Sequence, residues 1–461
     1  MAQKAASFLA KSTVKAADKE HRRKINFNIG KYNAVVPIGK QQFTDVAYAK
    51  ERAKNIKWRA IENLDAYLEL FESKITKRGA KVLWAETADN ALEYIAKICS
   101  EKACKTVVKS KSMVTEEIHL NAFLEKNGIE SVETDLGEYI QQLDGEAPYH
   151  IVTPAMHKNK EDVAKLFHNK LGTPRDLTPE QLTLVARKVL REKYTAAQVG
   201  ITGANFILAD IGGIAITENE GNARLSCAFP ETHIVIVGIE KVLPSVNDLG
   251  LFWPLLSTFG TGQKVTVYNS IITGPQQPGE GNGPKEMYVI LLDNGRTKIL
   301  ENTQLRESLY CIRCGACLNA CPVYKNIGGH SYEVTYSGPI GSVISPHLNG
   351  LNEHKHLSHA SSLCGNCTEV CPVKINLHEL LLENRKQAVV KGYSGLSERL
   401  AWKLWKAASL KRETMNMGNA QLKNLVVNTL FTGWKHHRSK LQFSDKSFQQ
   451  QWLEKYKLPK Q

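Results

Sequence analysis

The sequence predicts an α/β domain with a largely parallel sheet, then a cysteine-bearing helical domain, then a basic helical tail. Three observations carry this. Strand-like apolar runs alternate with helical stretches over roughly residues 41–300, the β signal stops after Arg296, and seven of the ten cysteines fall between Cys311 and Cys371. At about 150 residues per domain, 461 residues suggest about three units.

Residues 1–40 read as an arm. From Phe43 to Lys77, Val46, Ala49, Ala53, Ile56, Ala60, Ile61, Leu64, Leu68 and Phe71 recur at helical spacing. The apolar runs beginning at Lys81 and Thr106 read as strands, and residues 90–100 and 115–127 as helices. The segments SVETDLG and HIVTPA continue the strand pattern. Phe206–Thr217 and His233–Glu240 read as buried strands, followed by VTVYNSII and MYVILLDNG, with a turn at Asp293-Asn294-Gly295. Such alternation indicates an α/β layer architecture. Residues 301–391 read as cysteine-bearing loops between helices, and 392–461 as strandless helical segments rich in lysine and tryptophan.

Apolar residues make up 42% and charged residues 23%, which excludes disorder. There is no run of 18 apolar residues to span a membrane. Lys11 and Lys15 interrupt any N-terminal apolar core of signal-peptide length, so a cytoplasmic location is expected. Of the formal net charge of +14, the last 81 residues carry +11 and the first 25 carry +5. In the tail, Leu400, Leu404, Trp405 and Ala408 share a helical face among Lys403, Lys406, Lys411 and Arg412, with Trp402 and Trp434 nearby. Two readings follow: peripheral contact with an anionic membrane, or, preferred, tryptophans packed on the cysteine-bearing part or a partner. No nucleic-acid-binding motif is present.

The first cysteine box, Cys311-Ile-Arg-Cys314-Gly-Ala-Cys317-Leu-Asn-Ala-Cys321-Pro322, has the C-x2-C-x2-C-x3-C-P spacing of bacterial ferredoxins. The second is Cys364-Gly-Asn-Cys367-Thr-Glu-Val-Cys371-Pro372. Closely spaced thiolates wrap a cubane, and the last cysteine of each run reaches the neighbouring cluster. Two 4Fe-4S clusters are therefore expected, one on Cys311, Cys314, Cys317 and Cys371, the other on Cys321, Cys364 and Cys367. Zinc ribbons lack the four-cysteine run. Aligned from its proline, the second box lacks a cysteine at Ser361, a harder ligand. Ser362, His359, Cys227, an open iron or a three-iron cluster are the alternatives.

These boxes follow KSKSMVTEE, ETDLGEYI and GITGANFILADIGGIAITENEGNARL, and the combination resembles the lactate-utilisation protein B family over about residues 40–391. The segment SDKSFQQQWLEKYK resembles that family's tail. The resemblance implies an α/β domain (LUD) akin to the sugar-phosphate isomerase and CoA-transferase superfamily, and a helical ferredoxin domain. It also implies the iron–sulfur electron-transfer subunit of an L-lactate oxidising system, inactive alone, with a cysteine-rich-motif subunit and a LUD-only subunit as partners. Another 2-hydroxy acid such as glycolate, or a redox-sensing regulator, are the rival functions.

Within the α/β part, Asn205, Asp210, Glu220, Asn222 and Arg224 flank strand ends, as do Lys109, Ser110, Lys111 and Ser112. Ligands of open α/β sheets bind at such ends. An anion pocket for a small carboxylate is expected there, with Arg224 as its clamp. The alternative is a structural loop with a Glu220–Arg224 ion pair. No G-x-G-x-x-G, Walker lysine loop or G-x-S-x-G is present, so nicotinamide, FAD, ATP and serine-hydrolase sites are unsupported. Catalytic residues are not assigned. His330, His347, His354, His356 and His359 between the boxes are expected mostly in solvent, with Tyr336–Gly341 as a docking loop.

Overall fold

A computed structural model describes residues 2–430 and 439–456; Trp434 lies outside them. The chain divides into two units, Met1–Ala388 and Val389–Gln461.

The first unit is built on a six-stranded parallel sheet. Its strands are β1 (Lys81–Ala85), β2 (Thr106–Lys109), β3 (Glu130–Glu133), β4 (Val199–Thr202), β7 (Thr232–Gly238) and β10 (Glu286–Leu292), in the order β1-β10-β7-β4-β2-β3. Strands covered on both faces read as continuous apolar runs, as in β7, where all seven residues are buried. A second sheet of four strands, β8-β5-β6-β9, comprises β5 (Phe206–Leu208), β6 (Gly213–Glu218), β8 (Val242–Leu243) and β9 (Tyr268–Ile272).

Two sequence expectations change here. Phe206–Thr217 is a hairpin, because β5 and β6 pair antiparallel about a turn in which Gly212 has φ +63°. HIVTPA forms no strand; residues 150–155 are bends and turns under the sheet's C-terminal edge.

The first forty residues are two helices, Ala2–Ala17 and Lys19–Lys40, the second capped by Asp18 accepting from the His21 N–H. Ile25 and Ile29 are buried in the main core, so the arm is part of the unit. Gly39 lies against the helix Leu249–Thr261 so closely that a Cβ would stand 2.3 Å from the Gly262 carbonyl oxygen. Residues 43–77 split at Asn63 into Val46–Glu62 and Leu64–Thr76, whose predicted apolar face is buried apart from the partly buried Val46.

The cysteine-bearing region shares this core, with Cys314, Cys317, Cys321, Cys367 and Cys371 among its members. Here too the structure corrects the sequence reading. Gly338–Leu348 is a helix buried from Gly338 through Pro346, not a docking loop. His354 is buried, His330 Nε2 donates to the Ala147 carbonyl oxygen at 2.7 Å, and His347 Nε2 lies 2.7 Å from Asn384 Oδ1, so these are packed histidines.

In the second unit, the helices among the described residues are Leu396–Ser409, Arg412–Asn416, Ala420–Leu430 and Phe448–Tyr456. No residue of Leu396–Ser409 is buried; Leu400, Trp402, Leu404 and Trp405 are all exposed. Among the described residues, no helix is long and apolar enough to cross a membrane.

Candidate functional site

The seven box cysteines form two groups, and each group draws on both boxes. Cys314 and Cys317 both interact electrostatically with Cys311 and Cys371. Cys321 interacts with Cys364, and Cys367 with both. Each group thus joins thiols of the first box to thiols of the second. The loops wind tightly by left-handed backbone at Arg313 (φ 60°) and Gly315 (φ 79°), repeated at Leu363 (φ 54°) and Gly365 (φ 80°). Backbone N–H groups point at sulfur: Arg313 donates to Cys311 Sγ at 3.4 Å, Tyr324 to Cys321 Sγ at 3.5 Å and Ile375 to Cys371 Sγ at 3.4 Å.

Burial pushes the Cys314 and Cys317 thiols up, Cys371 up to about 12 and Cys367 up to about 11, and neighbouring thiols push the same way. Buried thiols that resist ionising together suit a cationic metal core. The Arg313 Nη1 and His150 Nε2 atoms are buried without a hydrogen-bond partner, and His150 packs against Gly315 of the first loop. The donor set and these orphaned N–H groups fit an iron–sulfur cluster. Cys364 differs: it is exposed, and hydrogen bonds from the Asn366 N–H and Ser362 lower its thiol.

The second box repeats the spacing of the first with one cysteine fewer. Ser361 Oγ accepts from the Leu363 N–H at 3.0 Å, as Cys311 Sγ accepts from Arg313. Each donor is left-handed and precedes a cysteine and a left-handed glycine. Ser361 thus holds in the second loop the place of Cys311 in the first.

The first box abuts the C-terminal edge of the parallel sheet through a buried charge network. Arg296 is 2% exposed and binds Glu117 with both prongs, Nη1 to Oε1 at 2.9 Å and Nη2 to Oε2 at 2.8 Å. Its Nε donates to Glu240 Oε2 at 2.5 Å. Tyr336 donates to Glu117 Oε2 at 2.6 Å, and Arg313, over the Tyr336 ring, lies 3.5 Å from Glu240 Oε1. Burial works to raise Glu240, but Arg296, Lys241 and Arg313 hold it down at about 2. Gly238 must lack a Cβ, which would stand 2.1 Å from Glu240 Oε2. Lys57, brought by the helix Val46–Glu62, donates to the Glu240 carbonyl at 2.6 Å; burial, then Lys241, lowers it to about 7.

Beside this network a cavity of about 270 Å³ opens between the sheet edge and the first box. Its walls include Ser112, Asn205, Glu220 and Asn222, all expected from sequence, along with Ser110 and Lys111. They also include Lys241, Arg313, Tyr336 and Cys314. Three expected residues are not in these walls. Lys109 is fully buried and spent on Glu133 (2.6 Å), Glu116 (3.2 Å) and Thr115 (2.9 Å); burial opposes its charge, yet the surrounding carboxylates hold it protonated. Asp210 accepts from Ser245 Oγ and the Val246 N–H, fixing a turn. Arg224 is exposed and stacks over Tyr268, so it clamps nothing in the cavity, and no Glu220–Arg224 ion pair forms. Glu220 accepts instead from the Leu136 N–H at 3.0 Å and is raised to about 7 by burial and Asp135. Lys241 and Arg313 were missed by sequence reasoning. Lys241 closes the most apolar strand run, and Arg313 sits inside the cysteine spacing.

A parallel α/β sheet whose C-terminal edge borders the first of two ferredoxin-type cysteine boxes defines an iron–sulfur protein with a LUD domain. The LUD domain family matches residues 68–292 and the 4Fe-4S dicluster domain family residues 307–375. The chain belongs to the lactate utilization protein B family. It is 47% identical to Lactate utilization protein B of Bacillus velezensis, over 80% of this chain and 78% of that one. The Anoxybacillus flavithermus protein of that name is 49% identical (76% and 74%), and that of Bacillus subtilis 46% (80% and 77%). A DUF162 family protein from Deinococcus radiodurans, of solved structure, aligns with 50% of this chain and 98% of its own at 14% identity and a TM-score of 0.29.

Proposed function

We propose that the protein is the iron–sulfur electron-transfer subunit of a system that oxidises L-lactate to pyruvate, working with the other lactate-utilisation subunits. The relatives' name supports the lactate assignment. The observation that carries electron transfer is the sorting of seven cysteines into two cages across both boxes. Bound there, two 4Fe-4S clusters each supply a one-electron acceptor, matching the two electrons that lactate gives up. Cys311, Cys314, Cys317 and Cys371 would hold the first; Cys321, Cys364 and Cys367 would hold the second, with Ser361 as its fourth ligand. The buried first cage borders the cavity and the second reaches the surface at Cys364, so a cluster held by the first would lie nearer the cavity and one held by the second nearer solvent or a partner. The protons released by lactate go to groups on a partner or in the cavity wall. The exposed Trp402 and Trp405, among lysines, give the second unit a surface for peripheral contact with an anionic membrane.

The test is electron paramagnetic resonance of the anaerobic assembled complex before and after L-lactate. Reduced-cluster signals appearing with L-lactate support the reading. Signals unchanged by L-lactate but elicited by glycolate would shift it to another 2-hydroxy acid.

A further inference from the structure

The cavity at the sheet edge has charges of unequal kinds at its two ends. Its basic end is formed by Lys241, just after β7, and by Arg313 from the cysteine box. Lys241 is 6% exposed and lines the cavity; Glu240 and Cys311 are the opposite charges near it, and among the described residues its ammonium makes no direct hydrogen bond or ion pair. A cation on a cavity wall with no direct partner is a ready receptor for a charge-assisted contact with an anion. The two carboxylates nearest this end, Glu117 and Glu240, are already committed to Arg296. Arg313 lies over the Tyr336 ring and makes a long 3.5 Å contact to Glu240.

The other end carries Asp135, after β3, with Glu218 at the end of β6 and Glu220 just past it. In the sheet, β3 lies three strands from β7, about 14 Å at the usual spacing. Lys111 is the cation of that end, and it is held by the Val152 carbonyl at 2.7 Å and Asp135 at 3.9 Å. Asn205, Ser110 and Ser112 stand along the wall as neutral donors and acceptors. A molecule seated here is thus drawn by one carboxylate to the basic end, hydrogen-bonded along its length, and repelled by the acidic end if it bears a second negative charge.

We infer that this cavity is a binding site for small monocarboxylates bearing a 2-hydroxy or 2-oxo group, with Lys241 and Arg313 as the carboxylate receptor. This rests on the proposed function for the identity of the ligand, but not for the site. Because Arg313 directly precedes Cys314, occupancy perturbs the loop that holds the first cluster.

The experiment is isothermal titration calorimetry of the anaerobic, cluster-loaded full chain with pyruvate, which cannot be oxidised further by losing a hydroxyl hydrogen pair. Electron paramagnetic resonance of each sample reports cluster content. Wild type is expected to bind one pyruvate, and to bind succinate at least tenfold more weakly. Lys241→Gln should weaken pyruvate about tenfold or more, as loss of a charge-assisted contact does, with Lys241→Arg restoring part of it. Ala204→Phe, which fills the cavity and removes no charge, should abolish binding with cluster signals intact. Arg224→Ala, outside the cavity, should bind as wild type. Pyruvate should also shift the g values of the first cluster. Absence of pyruvate binding in wild type with intact clusters overturns the inference, as does binding untouched by both Lys241→Gln and Ala204→Phe. A chain that binds pyruvate but no iron would overturn the electron-transfer reading and leave the site standing.

Discussion

Glu240→Gln removes the charge from the carboxylate on which Arg296 and Arg313 converge, with almost no change in volume. The wild-type carboxyl sits at about 2 against an ordinary 4.5, a difference equivalent to roughly 3 kcal/mol of folding stability at neutral pH. That agrees with the roughly 3–5 kcal/mol lost when one partner of a buried pair is removed. Spread over a unit of 388 residues, with about 2.1 cal/mol/K of unfolding entropy per residue, the loss corresponds to a Tm lower by about 4 °C. The sign with pH follows from the depressed value. The contribution is complete above about pH 4.5 and is lost as pH falls toward 2. Thermal unfolding by circular dichroism at pH 7.5, on Glu240→Gln, Arg296→Met and the double variant, measures it. The double variant should recover between about 1 and 3 kcal/mol relative to the sum of the single losses. A Tm within 1 °C of wild type for Glu240→Gln, or strict additivity, would refute the network as the joint between sheet and cysteine box.

The remaining predictions concern titration, metal and surface. His150 and His233 are fully buried and burial lowers them to about 3 and about 4, so each takes up a proton on unfolding below pH 6.5. Stability should therefore be complete above that value and fall by roughly 2–3 kcal/mol per pH unit near pH 5.5, which urea melts across pH 5–7.5 will show; a flat profile would contradict it. Cys371→Ser should cost the first cluster and spare the second, as iron content and cluster spectra would register. Ser361→Cys should retain the second cluster longer in air than wild type, read by the decay of visible absorbance; unchanged decay would count against Ser361 as its ligand. Trp402→Ser with Trp405→Ser in the full chain should reduce co-sedimentation with vesicles containing phosphatidylserine, and equal sedimentation would remove the membrane contact.

How far the sequence reaches depends on the range of the interaction. The cysteine spacing is a local rule, and the 4Fe-4S dicluster domain it points to is found over residues 307–375. The apolar strand runs likewise appear as the parallel sheet, because burial on both faces leaves its mark within each segment. Phe206–Thr217 misleads because an apolar run does not show whether it continues or folds back; the left-handed Gly212 decides. Lys109 looks like a free cation in sequence, yet Glu133, one strand over, neutralises it. Arg224 seems well placed beside a strand end, but the helix Asn222–Ala228 turns it toward Tyr268 and solvent. Lys241 and Arg313 are 72 residues apart and meet only because the first cysteine box folds onto the sheet edge, which no local pattern encodes.

The claim on which all this depends is that the two cysteine cages hold iron and pass electrons. Metal and sulfide analysis of the anaerobically reconstituted chain, with electron paramagnetic resonance after dithionite, addresses it directly. The account predicts about eight iron and eight sulfide per chain and two magnetically coupled reduced clusters. A colourless chain that holds zinc and gives no signal after dithionite would contradict it.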